Sequence, residues 1–559
     1  MQNTFTSLDT VVLAFYFIGI TIFGLWLTRR IKSSDSYFRG DRKFKWWIMM
    51  GQAFGTGTHA ENFVAQTGAT FSGGFSTIWY QWKNMLVTPF YWLLAPWYRR
   101  SERTTIGEMV EDRYGRSMAF FYTLFAIAFF VFSQGVMLQG AAKVIAVATG
   151  HAISPTGVVL AMTAAFILYS FFGGLVASAY ADSIQAVMII VLSMMLIPFG
   201  LHEIGGFSEM RQHLPADYFQ LFSNKSGMGA FMISMLAVNG VVGITAQPHM
   251  LSMCATGSNE RAGRIGMVYG TFVKRLCTIG WALTGIIVAA LIVQRGITLP
   301  DPEHAFGYAS RELLFPGLTG LLVACVLAAN MSSCSNFMVN TGALFTRNLY
   351  LDFIRPGADD RQLLWIGRFS GFGLTILGVL FALTVKNVLH GFLFTETISA
   401  FMGIAILGGI LWKRANRYGA WMAVISAFVV YYVLNFLHSG ELMLVYTWRP
   451  QPFAISMLIG FVVLVVASLL TPPEERQRID TFFNQMKRLS DHTEQDGHKP
   501  LAKKYGKDLL FLDISGWFYR ERWKGFFRRY REDLVGFVLA WGMVGVLALI
   551  AWSIMQIGS

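Results

Sequence analysis

Two short stretches of this 559-residue chain carry polar groups in patterns that could do chemistry. The first is Ala328-Ala329-Asn330-Met331-Ser332-Ser333-Cys334-Ser335-Asn336, set inside a long apolar block. On a helix, Ala329, Ser332 and Ser333 stand at i, i+3 and i+4 and share one face. The second is Phe54-Gly55-Thr56-Gly57-Thr58-His59, whose glycines interrupt the helix that would otherwise run through it. Two serine hydroxyls and the Ala329 carbonyl, with carbonyls freed between Gly55 and Thr58, make about five neutral oxygens, which suits a hard monovalent cation. Divalent calcium would want carboxylates. The same serines have a second reading, in which each hydroxyl bonds back to its own helix.

These stretches need elements to hold them. Apolar side chains make up 54% of the chain and charged ones 14%, against roughly 25% charged in average soluble domains. So little charge could not cover a soluble protein of this size. The apolar residues also fall in long blocks, which excludes disordered, collagen-like and nucleic-acid-binding classes. The chain reads as an all-α protein of the lipid bilayer. At about 20 residues per crossing, about fourteen blocks qualify as spans. They lie near 9–28, 47–70, 75–97, 117–148, 153–172, 178–201, 228–252, 266–294, 316–346, 364–386, 390–412, 417–437, 452–471 and 533–556.

Charge orients these blocks. Asp9 precedes the first and Arg29, Arg30 and Lys32 follow it, the reverse of a signal peptide. The first helix is thus retained with its N-terminus outside, and an even number of crossings returns the C-terminus outside. Most Lys and Arg then fall in cytoplasmic loops, as the positive-inside rule requires, so the net charge of +13 reports topology. The expected divisions are a first helix and basic cytoplasmic loop (1–46), a five-helix stretch (47–201), an external loop (202–227) and a second five-helix stretch (228–412). Two additional helices (413–471), a basic cytoplasmic segment (472–532) and a last helix (533–559) follow. The segment 472–532 reads as a surface helix near anionic headgroups, or as a docking site for a regulatory partner.

Charge inside the spans is informative because it is expensive there and usually faces the bundle interior, often paired. Glu61, Lys83 and Lys143 lie inside spans, and His59 sits beside the glycine break. In one reading a lysine neutralises a solute carboxylate and Glu61 takes an amine or a proton. In the other, Glu61 and Lys83 form a salt bridge between adjacent helices while Lys143 snorkels outward. His59 can titrate near neutral pH, or it can be a packed, hydrogen-bonded histidine. Cys254, Cys277, Cys325 and Cys334 lack the spacing of a metal or redox site and read as packed free thiols. No nucleophile–base or metal constellation is present, so the chain reads as a non-enzyme.

The glycine break has a counterpart at Asn239-Gly240, with Gly243 and Pro248 following. The two breaks open the two five-helix stretches. A glycine pair in one membrane helix would read as a packing surface. A matched pair of interrupted helices points instead to an inverted-repeat transporter, whose ligands sit at the midplane.

Five further motifs carry a resemblance. They are Trp46-Trp47, the run Thr104-Thr105-Ile106-Gly107-Glu108-Met109-Val110-Glu111-Asp112-Arg113-Tyr114-Gly115, and Tyr169-Ser170-Phe171-Phe172-Gly173-Gly174-Leu175-Val176-Ala177. The others are Asp182-Ser183-Ile184-Gln185 and the run from Ala328 to Leu344-Phe345-Thr346-Arg347-Asn348-Leu349-Tyr350. Over about 30–471 the chain resembles the sodium:solute symporters. The resemblance implies an inverted five-helix-repeat (LeuT-like) core with flanking helices and a co-transported sodium ion. It places that ion on the carbonyls of Gly55, Thr58 and Ala329 and the hydroxyls of Ser332 and Ser333. Asp182 stands where the family keeps an acid, to attract the ion or complete a second sodium site.

In the solute pocket the chain departs from the family. Gln81 stands at the place of the sugar branch's acid, Val242 replaces an aromatic although Asn239 matches, and Thr395-Glu396-Thr397 replaces Gln-Glu-Tyr. Gly57 takes the place of the proline branch's Asp, so neither glucose-type nor proline-type binding is expected. The candidate pocket residues are His59, Glu61, Gln81, Lys83, Lys143, Asn239, Thr395 and Glu396.

The expected function is sodium-driven uptake of a small organic solute (a sugar, carboxylate or amino-acid-like molecule) by alternating access. The setting is the plasma membrane, or the inner membrane in a bacterium. Two alternatives are a membrane sensor built on a transporter-like core and a proton-coupled symporter using Asp182, Glu61 or His59.

Overall fold

The computed structural model describes residues 5–28, 34–39, 42–152, 154–487, 508–512 and 514–558. The basic cluster Arg29, Arg30 and Lys32, and residues 488–507 of the charged segment, lie outside the described residues. Among those described the protein is helical, with only two isolated β-bridges. In chain order the helices that matter are α1 (Ser7–Thr28), α2 (Trp46–Thr56), α3 (Ala60–Gly73), α4 (Trp79–Arg100), α5 (Ile106–Tyr114) and α6 (Arg116–Ala148). They continue as α7 (Pro155–Ile204), α8 (Ala230–Gly243), α9 (Met250–Ala255), α10 (Glu260–Arg295), α11 (Leu318–Phe345) and α12 (Asp360–Ala382). The last are α13 (Val388–Leu411), α14 (Arg417–Ser439), α15 (Pro450–Leu470), α16 (Arg476–Gln485) and α17 (Arg531–Gln556).

Nine described helices are long and apolar enough to cross a membrane. Helices α10, α11 and α13 are almost entirely buried, whereas α14, α15 and α17 leave most of their apolar surface outward, as lipid-facing helices do. The two apolar blocks at 153–172 and 178–201 are the two arms of α7, which meet at a kink where Gly174 leaves helical geometry (φ 52°, ψ −152°). A Cβ there would press into Tyr37, so glycine is required by conformation and by space.

Both expected breaks are present. Helix α2 ends at Thr56 and α3 begins at Ala60; α8 ends at Gly243 and α9 begins at Met250. In lipid every backbone group released by such a break needs a partner from the protein. At the second break they are side chains from other helices. Ser399 Oγ donates to the Gly243 carbonyl (3.0 Å), Tyr98 Oη to Thr245 (3.1 Å) and Tyr122 Oη to Ala246 (2.8 Å).

The 104–115 motif is a helix-end device. Thr105 and Glu108 form a capping box that starts α5, and Thr105 Oγ1 donates to Asn348 Oδ1 at 2.7 Å. At the other end Arg113 donates to the carbonyls of Gly409, Trp412, Lys413 and Ala415, closing the end of α13, while Tyr114 Oη donates to Ala405. Part of the charged segment packs on this same corner. Phe482 and Phe483 of α16 are buried, with Phe482 against Trp97 and Phe483 beneath Arg113 and Lys413. Glu474 pairs with Arg417 at 2.8 Å. Residues 474–486 therefore anchor one face, through Glu474, Phe482, Phe483 and Met486, to the helix bundle and leave the other face exposed. The stretch 514–530 keeps Phe518, Tyr519, Trp523 and Phe527 exposed beside several cations.

Replacing Arg113 with Ala strands several buried carbonyls and should cost on the order of 3 kcal/mol. Thermal unfolding of the detergent-solubilised protein should show a midpoint several degrees lower; an unchanged midpoint would mean that Arg113 does not hold the corner closed.

Candidate functional site

The first break sits against the polar face of α11. Thr58 N–H donates to the Gly55 carbonyl at 3.2 Å, turning the chain out of α2, and His59 N–H donates to Asn62 Oδ1 at 3.1 Å to start α3. Ser333 Oγ lies 3.2 Å from the Gly55 carbonyl and 3.3 Å from that of Thr56. Ser332 Oγ donates to Asp182 Oδ1 at 2.5 Å, and Thr56 Oγ1 to Asp182 Oδ2 at 3.2 Å. Thr56, Thr58, Asp182, Ser332 and Ser333 are fully buried, and Thr58 Oγ1 has no hydrogen-bond partner. Gly55 makes this approach possible, since a Cβ on it would meet the Asp182 side chain and Ser332 Oγ. Ala329 lies one turn before Ser332 and Ser333 on α11 and is also fully buried. The structure thus brings Gly55, Thr56, Asp182, Ser332 and Ser333 to one point, where α2, α7 and α11 meet.

Asn330 completes the junction, a role the sequence reading missed although it lies in the polar run. Its Oδ1 accepts from the Ala60 N–H at the start of α3 (2.8 Å), and its Nδ2 donates to the Met137 carbonyl of α6 (2.5 Å). One amide therefore ties the break to two other helices.

On the other side of the break lies a cavity of about 90 Å³. Of the predicted pocket residues, His59, Glu61, Thr395 and Glu396 line it. Gln81, Lys83, Lys143 and Asn239 do not. Lys83 is fully buried and paired with Glu396, whose other oxygen accepts from Asn84 Nδ2 at 2.9 Å. The Glu61–Lys83 bridge is therefore replaced by two others: Lys83 with Glu396, and Glu61 with His59 Nδ1 at 3.0 Å. Gln81 lends only its carbonyl, to Arg275 at 3.1 Å. Asn239 Nδ2 donates to Thr397 Oγ1 at 3.0 Å.

Lys143 does not snorkel outward. It is held by Asp301 (2.9 Å), Glu303 (2.5 Å) and the Lys386 carbonyl (3.0 Å), and Glu303 also caps the start of α13 at Val388 and Leu389. The counter-charges come from the loop after α10, which no spacing within the span could have indicated. Burial pushes the Asp301 carboxyl up, but the bonds from Lys143 and the Glu303 N–H outweigh it and leave Asp301 below its ordinary value.

The cavity also receives Asn84, Ser133, Gln247, His249, Lys274 and Arg275. The His249 ring packs beside both Phe129 and Phe337, with centroids at 6.0 and 5.4 Å. Lys274 Nζ donates to the Gly57 carbonyl inside the break. The sequence reading missed the adjacent Lys274-Arg275 pair, although both residues lie within the expected 266–294 span and on α10. The four cysteines are buried and free, and among the described residues no His, Cys, Asp and Glu cluster could hold a metal ion.

The sequence pattern of the sodium:solute symporter family matches residues 37–427, most of the chain and both breaks. The chain belongs to that family. This symporter is 27% identical over 482 residues to the osmoregulated proline transporter OpuE of Bacillus subtilis, covering 82% of this chain and 95% of that protein. It is 23% identical over 476 residues to the sodium/glucose cotransporter of Vibrio parahaemolyticus, covering 78% and 87%. A solved sodium-coupled sialic acid symporter superposes with a TM-score of 0.70 at 17% identity, over 84% of this chain and 99% of that one, a likeness of fold. The symporter is thus an integral membrane transporter that couples sodium to the movement of a small solute.

Glu396→Gln alone should destabilise the symporter by on the order of 3 kcal/mol, because it leaves Lys83 buried without a counter-charge. The double variant Lys83→Met, Glu396→Gln should recover most of that loss. Equal unfolding midpoints for the single variant and the wild type would show that the pair does not stabilise the bundle.

Proposed function

We propose that the symporter imports its solute by alternating access. A sodium ion bound by the carbonyls of Gly55, Thr58 and Ala329 and the hydroxyls of Ser332 and Ser333 bridges α2 and α11. The observation that carries this reading is the placement of Ser333 Oγ against the Gly55 and Thr56 carbonyls, beside a buried carboxylate. Neutral oxygens on two helices, with Asp182 next to them, form a donor set for a hard monovalent cation. An ion there replaces the serine-to-carbonyl hydrogen bonds with shorter contacts and couples the two helices while it is present. Asp182 draws the ion in and balances its charge. The solute occupies the cavity lined by His59, Glu61, Thr395 and Glu396, on the far side of the same break.

We further assign all fourteen apolar blocks as crossings, counting α2 with α3 and α8 with α9 as single broken spans. Residues 47–201 and 228–412 are then the two inverted repeats. Both termini are outside, the location is the plasma membrane (the inner membrane in a bacterium), and the exposed aromatics of 514–530 rest at the cytoplasmic interface. A ligand can drive the transport cycle only through its different affinity for the outward and inward states. Sodium supplies that difference by binding where two helices converge.

Purified symporter in liposomes with an inward sodium gradient tests the reading. Solute uptake should collapse when potassium replaces sodium, and Ser332→Ala or Ser333→Ala should raise the half-saturating sodium concentration roughly tenfold while leaving the unfolding midpoint near wild type. Uptake that persists in potassium and follows a pH gradient, or serine variants with unchanged sodium dependence, would contradict it.

A further inference from the structure

The charges around the cavity do not balance. Its surroundings hold three cations, Lys83, Lys274 and Arg275, and two carboxylates, Glu61 and Glu396. Lys83 and Glu396 cancel as a direct pair. Glu61 is taken by His59 and can offset at most one of the two remaining cations. Among the described residues no ion pair reaches Lys274 or Arg275. Arg275 donates to the Gln81 carbonyl, and Lys274 rests on the Gly57 carbonyl. Asp182 does not supply the missing charge, because it lies across the break, hydrogen-bonded to Thr56 and Ser332.

An unbalanced positive charge in a buried site at membrane depth is costly, and a backbone dipole offsets only part of it. A carboxylate is the stronger acceptor for an ammonium group. A neutral sugar or a zwitterion would leave the surplus in place, whereas a monoanion would remove it. Phe129, Phe337, Phe392 and the methionines Met250, Met253 and Met267 add an apolar wall suited to a compact organic body, and Asn84, Ser133, Gln247, His249, Thr271 and Thr395 add neutral polar groups.

We propose that the solute is a small organic monoanion whose carboxylate is received by Lys274. The proposal rests on the sodium-symport reading of the same cavity and adds the chemical class of the solute. It also gives the two ligands a shared part. The Gly57 carbonyl that Lys274 occupies belongs to the same break as the Gly55 and Thr56 carbonyls faced by Ser333. A carboxylate that draws Lys274 away acts on the segment that the cation bridges, and the opposite charges of the two ligands favour joint binding.

The test uses thermal unfolding of the full-length purified symporter, in sodium and in potassium, with lactate, propionate, pyruvate, glucose, inositol, proline and lactamide as probes. At least one carboxylate should raise the midpoint in sodium and not in potassium, and lactamide, the uncharged partner of lactate, should not. Lys274→Gln should weaken the effective carboxylate by about tenfold or more, and Lys274→Arg should restore part of it. The comparison of lactate with lactamide in the wild type, repeated for whichever acid is effective with its own amide, stands even if a variant fails to fold. Protection by neutral solutes with none from any carboxylate, equal protection by an acid and its amide, or an unmoved carboxylate midpoint in Lys274→Gln overturns the proposal. Loss of the sodium effect in the wild type would overturn the sodium-symport reading instead.

Discussion

Backbone that leaves a helix inside a membrane must find partners within the protein, because lipid offers none. The rest of this structure depends on how that demand is met at two breaks. At 57–59 the partners are Ser333, Lys274 and Asn330, each from another helix. At 244–249 they are Ser399, Tyr98 and Tyr122. The difference between the two sets is functional. The second break is held by hydroxyls that each donate to a single released carbonyl. The first is held by a serine shared between two carbonyls and by a lysine that, among the described residues, forms no direct ion pair, groups that an arriving ion or solute can displace.

Charge follows the same logic of local satisfaction. Lys143 is held by Asp301 and Glu303, and Glu303 in turn caps the start of α13. Lys83 is balanced by Glu396, which joins α4 to α13. These contacts tie helices together, and the Lys83–Glu396 pair leaves no charge over. The surplus is confined to the cavity beside the first break, where Lys274 and Arg275 lie.

Much of this was legible in the sequence. Glycine placement marked both breaks, and the i, i+3, i+4 spacing of Ala329, Ser332 and Ser333 marked the face that meets the first one. Partner choice was not legible. Glu61 and Lys83 are close in sequence and looked like a pair, yet each bonds elsewhere, because the partner of a buried charge is set by helix packing and not by proximity along the chain. Lys274 and Arg275 were passed over although they lie within the apolar 266–294 block, because hydropathy averages a charged pair into its apolar surroundings; the helix that carries them, α10, begins at Glu260. Lys274 therefore lies about 21 Å along the helix, at 1.5 Å per residue. Residues 474–486 were expected at the membrane surface, and only the folded corner formed by Trp97, Arg113 and Lys413 explains why Phe482 and Phe483 are buried.

The central claim is that a sodium ion binds where the first break meets Ser332 and Ser333. Amide hydrogen exchange, followed by mass spectrometry on the purified symporter in matched sodium and potassium buffers, tests it without any solute. Sodium should slow exchange in peptides covering 55–62 and 329–336, with little change in α14 and α15. Identical exchange in the two buffers across both peptides would contradict the account.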